Sequence, residues 1–527
     1  MRTLGVTGRG RDAAAALAID GQLVAASMGD SPEVIEDPGA GAAGLLTSPA
    51  AMACLASAEI GPDAIDHVNV VGDFAGLGAL GAHKASAFDP LLADAAHACA
   101  ADTCAVLVAS ERPASLVMFR VADNTLTDPR PFSGGAELIG AARSMAGSLG
   151  ANSDSAFAAL DRLAANGQPV FDRLGAAIAR WEPETGSIRV DSSRVAEMLA
   201  EASDGRPERL AGGDALNVKV QTARRAVAAS FLHQVATVVS EIIDDESRRA
   251  GSGVVSLGGS VFSTIQINNA LRGLGPRRSS VARIPEFHGR ALGAAVAAIE
   301  SGATRVSLDR PSSLALGPSF GDVEIKRTLD NCRLDYVYEP DWQRLYARVS
   351  SMLGQGKIVA WFQGAAAFGP RSLGTRSILA DPSSPYARHN MNEYLRQLPL
   401  DEPLPIVFAP SMAAHFGADP SSQTVVDVPV VAERRDKIPA ALDSRHRARI
   451  QPLIAGESPR LAELLEFHAR RTGVPGLLET NLADRGSHLV SSPRDAVRVV
   501  YSSAIDALII GRFILMKDHW LLRSRVD

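Results

Sequence analysis

The sequence predicts a mixed α/β protein of more than one lobe, and three observations carry that reading. Its 527 residues exceed what one core organises, at about 150 residues per domain. Short apolar runs ending in glycine, at 254–259 and 507–511, stand beside longer segments of three-to-four apolar spacing. A hydrophobic fraction of 46% and a charged fraction of 21% belong to a chain that buries sizeable cores, not to a disordered one.

The elements follow in order. Residues 3–8 are an apolar strand, RGRD a polar turn, and 13–27 run through an Asp20-Gly21 turn. A long helix is predicted over about 218–244, where Val220, Ala223, Val227, Phe231, Val235 and Val238 or Val239 recur at helical spacing. The strand after it ends in Gly258 and Gly259, an arrangement by which α/β domains expose backbone to a ligand. The Pro-bearing stretch 307–319 reads as a connection between lobes, and 322–326 as a short mixed segment. Residues 358–362 form a short buried strand, a helix begins near Pro493, Arg494 and Asp495, and 507–510 repeat the strand-then-glycine theme. No short-period repeat is present.

Composition excludes some functions. The net charge of −6 supplies no overall basic field for nucleic acid. Cys54, Cys99, Cys104 and Cys332 are too few and too irregular for a disulfide scaffold, which points to inert thiols in a reducing compartment. With neither a leader nor a run of about 20 apolar residues, the expectation is a cytoplasmic protein without a membrane partner.

The sharpest segment is 361–382, WFQGAAAFGPRSLGTRSILADP. Three glycines and two prolines argue against a regular helix there. Arg371 and Arg376 sit where the backbone bends freely, and two guanidinium forks with nearby amides and the Ser377 hydroxyl suit a phosphate or acyl phosphate. Read from the residues alone, pairing of both arginines with surface carboxylates stands as the alternative.

The run FGPRSLGTRSILADP resembles the signature of the NodU/CmcH-type carbamoyltransferases, whose members usually read FGPRALGNRSILADP; only Ser372 and Thr375 differ. Further similarities follow in order: LGPSFGDVEI at 316–325, FAPS at 408–411, Arg449 to Gln451, TGVPGLLET at 472–480 with Arg485 and Gly486 beyond, and DALIIG at 506–511. The resemblance implies a YrdC-like domain over 320–527 that makes carbamoyl-adenylate from carbamoyl phosphate and ATP. It assigns Arg371, Arg376, Ser377, Arg449, Gln451 and Arg485 to carbamoyl phosphate and nucleotide contacts. It also implies an actin-like ATPase fold over 1–312, which passes the carbamoyl group to a hydroxyl acceptor.

In that first lobe the family opening, GxxHDSAAAL then DG, is similar to 8–17 with Asp20-Gly21, with Arg11 at the usual histidine and Asp12 kept. Asp12 is the expected base for the acceptor hydroxyl and Arg11 the cation near the developing oxyanion. Gly8, Gly258, Gly259 and Gly289 are the expected backbone contacts to the adenylate. The family's metal ligands, an HxxxH pair and an aspartate, are not matched: His83 and His97 have Ala79 and Ala93 four residues earlier, and Phe287 aligns with the aspartate. No metal ligand is therefore assigned, and magnesium enters only as a partner of ATP.

The C-terminal lobe also departs from the pattern. Ala365 and Ala367 replace an arginine and a glutamate, Arg396 stands near the position of a lysine, and Leu404, Pro405 and Ile406 replace a basic FRPF. The family's LLNTSFN reads LLETNLA, so Glu479 and, further on, Asp484 add negative charge near the expected anion site, which weakens donor binding. Glu393, Asp401 and Glu402 read as a solvated loop, and the basic run 444–449 as partly nucleotide-facing. The sequence thus predicts an ATP-dependent O-carbamoyltransferase acting on a small molecule, a specialised metabolite such as an antibiotic, and compatible with a homodimer. The alternatives are another acyl transfer on the same scaffold, or a non-catalytic nucleotide-binding homologue.

Overall fold

The computed structural model describes residues 1–7, 13–28, 48–71, 84–100, 103–151, 155–169, 178–191, 193–197, 200, 214–249, 254–275, 279–285, 287–300, 303–307, 313–372, 374–396, 398–417, 425–453, 456, 458–483 and 489–517. Contacts group the chain into two compact units. One comprises Met1–Val68, Phe74–Ala85 and Arg310–Asp527, the other Asn69–Asp73 and Ser86–Asp309.

The chain opens with β1 (Arg2–Thr7), β2 (Ala14–Ile19) and β3 (Gln22–Met28), joined into an antiparallel meander. The β2–β3 turn uses Asp20 and Gly21 at φ 51° and 82°, as an Asp-Gly hairpin requires. With β4 (His67–Val71) and β5 (Lys84–Phe88) they form a sheet of order β3-β2-β1-β4-β5.

The second unit repeats that order. Strands β6 (Thr103–Glu111), β7 (Ala114–Ala122) and β8 (Thr125–Pro131) form the meander. A two-stranded ribbon, β9 (Ala179–Glu182) and β10 (Ser187–Val190), follows. Strands β11 (Val254–Gly258) and β12 (Ser279–Val281) then lie parallel beside β6. With β13 (Ala297–Glu300) and β14 (Ala303–Val306) the sheet runs β12-β11-β6-β7-β8-β14-β13. Read from β8 to β12 it has the 3-2-1-4-5 sequence of the first sheet. This duplicated order is the actin-like topology the resemblance implied.

The long helix spans Asp214–Arg249. Phe231, Leu232, Val235, Val238, Ile242 and Ile243 are fully buried in one core with Leu107, Val255 and Leu257 of the second sheet. Among the described residues one stretch, Gln221–Arg249, is long and apolar enough to cross a membrane, but 72% of its apolar window is buried within the protein, as befits a core helix.

Nine strands form the third sheet: β15 (Val337–Tyr338), β16 (Val359–Phe362), β17 (Arg376–Ala380), β18 (Ile406–Phe408), β19 (Val426–Pro429), β20 (Arg447–Pro452), β21 (Leu477–Asn481), β22 (Ala507–Ile510) and β23 (Phe513–Met516). Their order is β15-β23-β22-β16-β17-β21-β18-β20-β19, with parallel and antiparallel pairs mixed. Both faces are covered, so the central strands β16 and β22 are apolar on both sides. The helices Trp342–Gly354 and Pro459–Thr472 pack Leu345, Val349, Leu461 and Leu465 on Trp361, Leu379, Val407 and Leu477. On the other face, the helices Asp322–Asn331 and Pro493–Tyr501 pack Ile325, Leu329 and Val500 on Phe362, Ile378 and Leu478. The segment expected as short and mixed at 322–326 is therefore helical, opened by Glu324 reaching back to the Gly321 N–H at 3.2 Å.

Candidate active site

Strand β17 decides which of the expected anion contacts meet. Neighbouring side chains on a strand point to opposite faces, so Arg376 lies with its cross-strand partner Phe362, and Ser377 with Trp361. Sequence reading put Arg371 and Arg376 where the backbone bends freely, whereas Arg376 and Ser377 are neighbours on one strand and point to opposite faces of it.

Arg376 is fully buried. One terminal nitrogen donates to the Gln363 and Thr375 carbonyls at 3.0 and 2.9 Å, the other to Pro318 and Gly364 at 3.1 and 3.0 Å. Its guanidinium lies 3.6 Å from the Phe362 ring centroid. Burial pulls its pKa down to about 9, which leaves it a cation at neutral pH. Four carbonyls and a ring fix the 363–375 loop to the 318 segment, and only Nε–H lacks an acceptor.

The opposite face gathers a polar cluster around Glu479, which is 1% exposed. Oε1 accepts from Ser372 Oγ at 2.9 Å, the Gly374 N–H at 3.0 Å and Ser377 Oγ; Oε2 accepts from Gln451 Nε2 at 2.9 Å. Strand register explains the meeting. Glu479 and Asn481 share a face of β21, and Ser377 sits opposite Asn481. Gln451 joins from β20, paired through Val407 of β18. Asn481 holds the turn that carries Ser372, donating to the Pro370 carbonyl at 2.6 Å and accepting from the Ser372 N–H at 3.0 Å. Burial pushes the Glu479 carboxyl up, while its hydrogen bonds and the Arg371 guanidinium pull the other way. Arg371 is half-buried. Among the described residues no carboxylate lies within ion-pair distance of it, so its charge is available at the rim of this cluster.

Arg449 is committed to Asp427, its cross-strand partner, at 3.0 Å, with both side chains buried. Arg447 likewise pairs with Asp443 at 2.9 Å. Of the loop carboxylates, Glu393 and Asp401 are exposed, but Glu402 is buried. Sequence reasoning therefore brought Ser377 and Gln451 together, separated Arg376 and Arg449 from them too little, and missed Asn481. The signal for Asn481 was the alternation in LLETN, which puts Leu477, Glu479 and Asn481 on one face.

In the other unit, the three described glycines are packed against protein. A Cβ on Gly258 would lie 2.8 Å from the Asp94 carbonyl, on Gly259 2.4 Å from that of Ala109, and on Gly289 2.1 Å from that of Ile284. Gly8, Arg11, Asp12 and Arg485 lie outside the described residues.

The position of the family metal was tested on its surroundings. On the helix Pro90–Ala98, His97 Nε2 accepts the Ile284 N–H at 3.3 Å. Asp94 holds Arg290 through two bonds of 3.0 and 2.9 Å, and Arg290 also donates to Ser110 Oγ and the Arg112 carbonyl. Phe287 carries the guanidinia of Arg112 and Arg290 at 4.4 and 4.9 Å from its ring centroid. A fixed guanidinium, an engaged imidazole and a phenyl ring do not fit a metal ion, and no step is routed through one.

Ser350, His468 and Asp381 have the order of a nucleophilic triad, at 2.9 Å from Oγ to Nδ1 and 3.2 Å from Nε2 to the carboxylate. All three are at most 3% exposed, so no substrate reaches the hydroxyl and the trio ties helices to the end of β17.

Residues 350–517 match the family model of the carbamoyltransferase C-terminus. An uncharacterized protein of Synechocystis sp. is 30% identical over 234 residues, 40% of this chain and 38% of that protein. Nodulation protein NolNO of Sinorhizobium fredii is 26% identical over 305 residues, 55% of this chain and 44% of that one. The chain spans about two fifths of the length of these curated relatives. Among solved structures, component A of the Acidaminococcus fermentans (R)-2-hydroxyglutaryl-CoA dehydratase is 18% identical, covering 56% of this chain and 96% of that one with a TM-score of 0.36.

Proposed function

We propose, for a chain whose residues 350–517 match the carbamoyltransferase C-terminus, that it is an ATP-dependent O-carbamoyltransferase of the NodU/CmcH type. Residues 320–527, as a YrdC-like domain, convert carbamoyl phosphate, ATP and one water, with magnesium, to carbamoyl-adenylate, orthophosphate and pyrophosphate, and residues 1–312 pass the carbamoyl group to a hydroxyl of a small metabolite with release of AMP. The observation that supports this is the convergence of Ser372 Oγ, Ser377 Oγ, the Gly374 N–H and Gln451 Nε2 on one carboxylate, that of Glu479, with Arg371 at its rim and, among the described residues, without a carboxylate in ion-pair distance. Such donors hold an oxyanion in place, and a guanidinium at their rim offsets the charge that develops as the adenylate forms. Arg376 and Arg449 serve this reading as scaffold cations: one ties the loop, the other the β19–β20 edge. Asp12 and Arg11 keep their proposed roles at the acceptor, as do Gly8, Gly258, Gly259 and Gly289 at the adenylate and Arg485 at the nucleotide.

A second reading, a non-catalytic homologue, is favoured by one observation: Glu479 already fills the converging donors. Pyrophosphate release from ATP, with and without carbamoyl phosphate, separates the two. Carbamoyl-phosphate-dependent release that disappears in Arg371→Ala supports the transferase. ATP binding without release sinks it.

A further inference from the structure

Glu479 stands where a ligand would. Its two oxygens take up all four converging donors, which come from the 372–374 turn, β17 and β20. Among the described residues no cation is bonded to it, and Arg371 acts on it through its charge. Uncharged donors that converge from separate elements are how proteins hold an oxyanion, so the carboxylate plays the guest in a site built for one.

Some of the departures from the family pattern meet at this point. Ser372, where alanine is usual, donates to Glu479, where asparagine is usual. Thr375, where asparagine is usual, donates to the Ser372 carbonyl at 2.9 Å and accepts from the N–H of Ala367, where glutamate is usual, at 3.0 Å. Three substitutions scattered over more than a hundred residues of sequence, at Ser372, Thr375 and Glu479, bring their side chains into one hydrogen-bonded unit, which Ala367 joins through its backbone N–H. A connected set fits a retuned site better than it fits independent decay.

We propose that Glu479 is a resident anion that determines the ligand affinity of this cradle: its carboxylate occupies the donors that would receive the phosphate group of the carbamoyl donor. A phosphate-class anion then binds only by displacing the side chain, against its charge, and the donor concentration needed for turnover is raised. The carbamoyl phosphate part of this inference rests on the function proposed above, whereas the phosphate part does not.

The test is calorimetric titration of inorganic phosphate, and separately of carbamoyl phosphate, into the full chain and into Glu479→Gln and Glu479→Asn. Glutamine removes the charge at constant size; asparagine also frees the space of a methylene. The phosphate dissociation constant should fall at least tenfold in Glu479→Asn and by less in Glu479→Gln, and adding Ser377→Ala or Arg371→Ala should reverse the gain. Unchanged affinity in both folded variants overturns the inference. So does micromolar phosphate binding by the unaltered chain, a result that needs no variant to fold. The two proposals fail separately. Gained phosphate affinity without pyrophosphate release upholds the resident anion and removes the transferase. Release at low carbamoyl phosphate with unchanged affinities does the reverse.

Discussion

Replacing Arg376 by alanine separates a scaffold cation from a ligand contact. The substitution strips partners from four carbonyls bonded at 2.9 to 3.1 Å and removes a guanidinium stacked 3.6 Å from the Phe362 centroid. A hydrogen bond to a charged group contributes about 1.5–3 kcal/mol, and the cation–π contact about 1–2 kcal/mol. These terms do not add, because the freed loop relaxes and water reaches some of the carbonyls; the net loss should be about 3–5 kcal/mol. With a urea slope of about 2–3 kcal/mol per molar, the unfolding midpoint moves down by roughly 1–2 M. Tryptophan fluorescence reads the transition, since the buried Trp361 lies on the adjoining strand. Arg376→Lys should fall between, because an ammonium cannot span four carbonyls in one plane. A midpoint shift below about 0.3 M, together with lost donor binding, would refute the scaffold role and put the guanidinium on a ligand.

Other outcomes follow from the same geometry. Asp94→Ala leaves the Arg290 guanidinium buried without its carboxylate and should cost about 3–5 kcal/mol in denaturant unfolding, most of it recovered in Asp94→Leu/Arg290→Met. Burial holds the Glu479 pKa above its unfolded value, so the folded state binds the extra proton; stability should rise as pH falls through the folded value toward about 4.3, and Glu479→Gln should abolish that rise in Tm. Gly374 has φ +79°, and a Cβ there would lie 2.5 Å from Leu461 Cδ2; Gly374→Ala should cost about 1–3 kcal/mol, read as a lowered Tm.

Much of the fold was legible where burial imposes a period. The helix Asp214–Arg249 announced itself through Val227, Phe231 and Val235, the strand at 358–362 through a short apolar run and that at 507–510 through an apolar run closed by glycine. The helix Asp322–Asn331 did not, because only Ile325 and Leu329 are buried on it while Val323 is 72% exposed. The duplicated sheet order left no echo in sequence, since a strand order is set by crossovers and many sequences satisfy it. At the site, residue types were legible and direction was not. Arg376 and Ser377 are adjacent in sequence, and one residue of strand puts them on opposite faces. Glu479 was recognised as a negative charge near the cradle; that it fills the cradle depends on the register of β17, β21, β18 and β20, which no local pattern encodes.

The most direct test of the account is a single turnover of the unaltered chain with ATP and carbamoyl phosphate, quenched without any acceptor and examined by mass spectrometry. The account predicts a carbamoyl-adenylate that accumulates on the protein and is lost in Arg371→Ala. Intact ATP with no adenylate, from protein that binds both substrates, would contradict it.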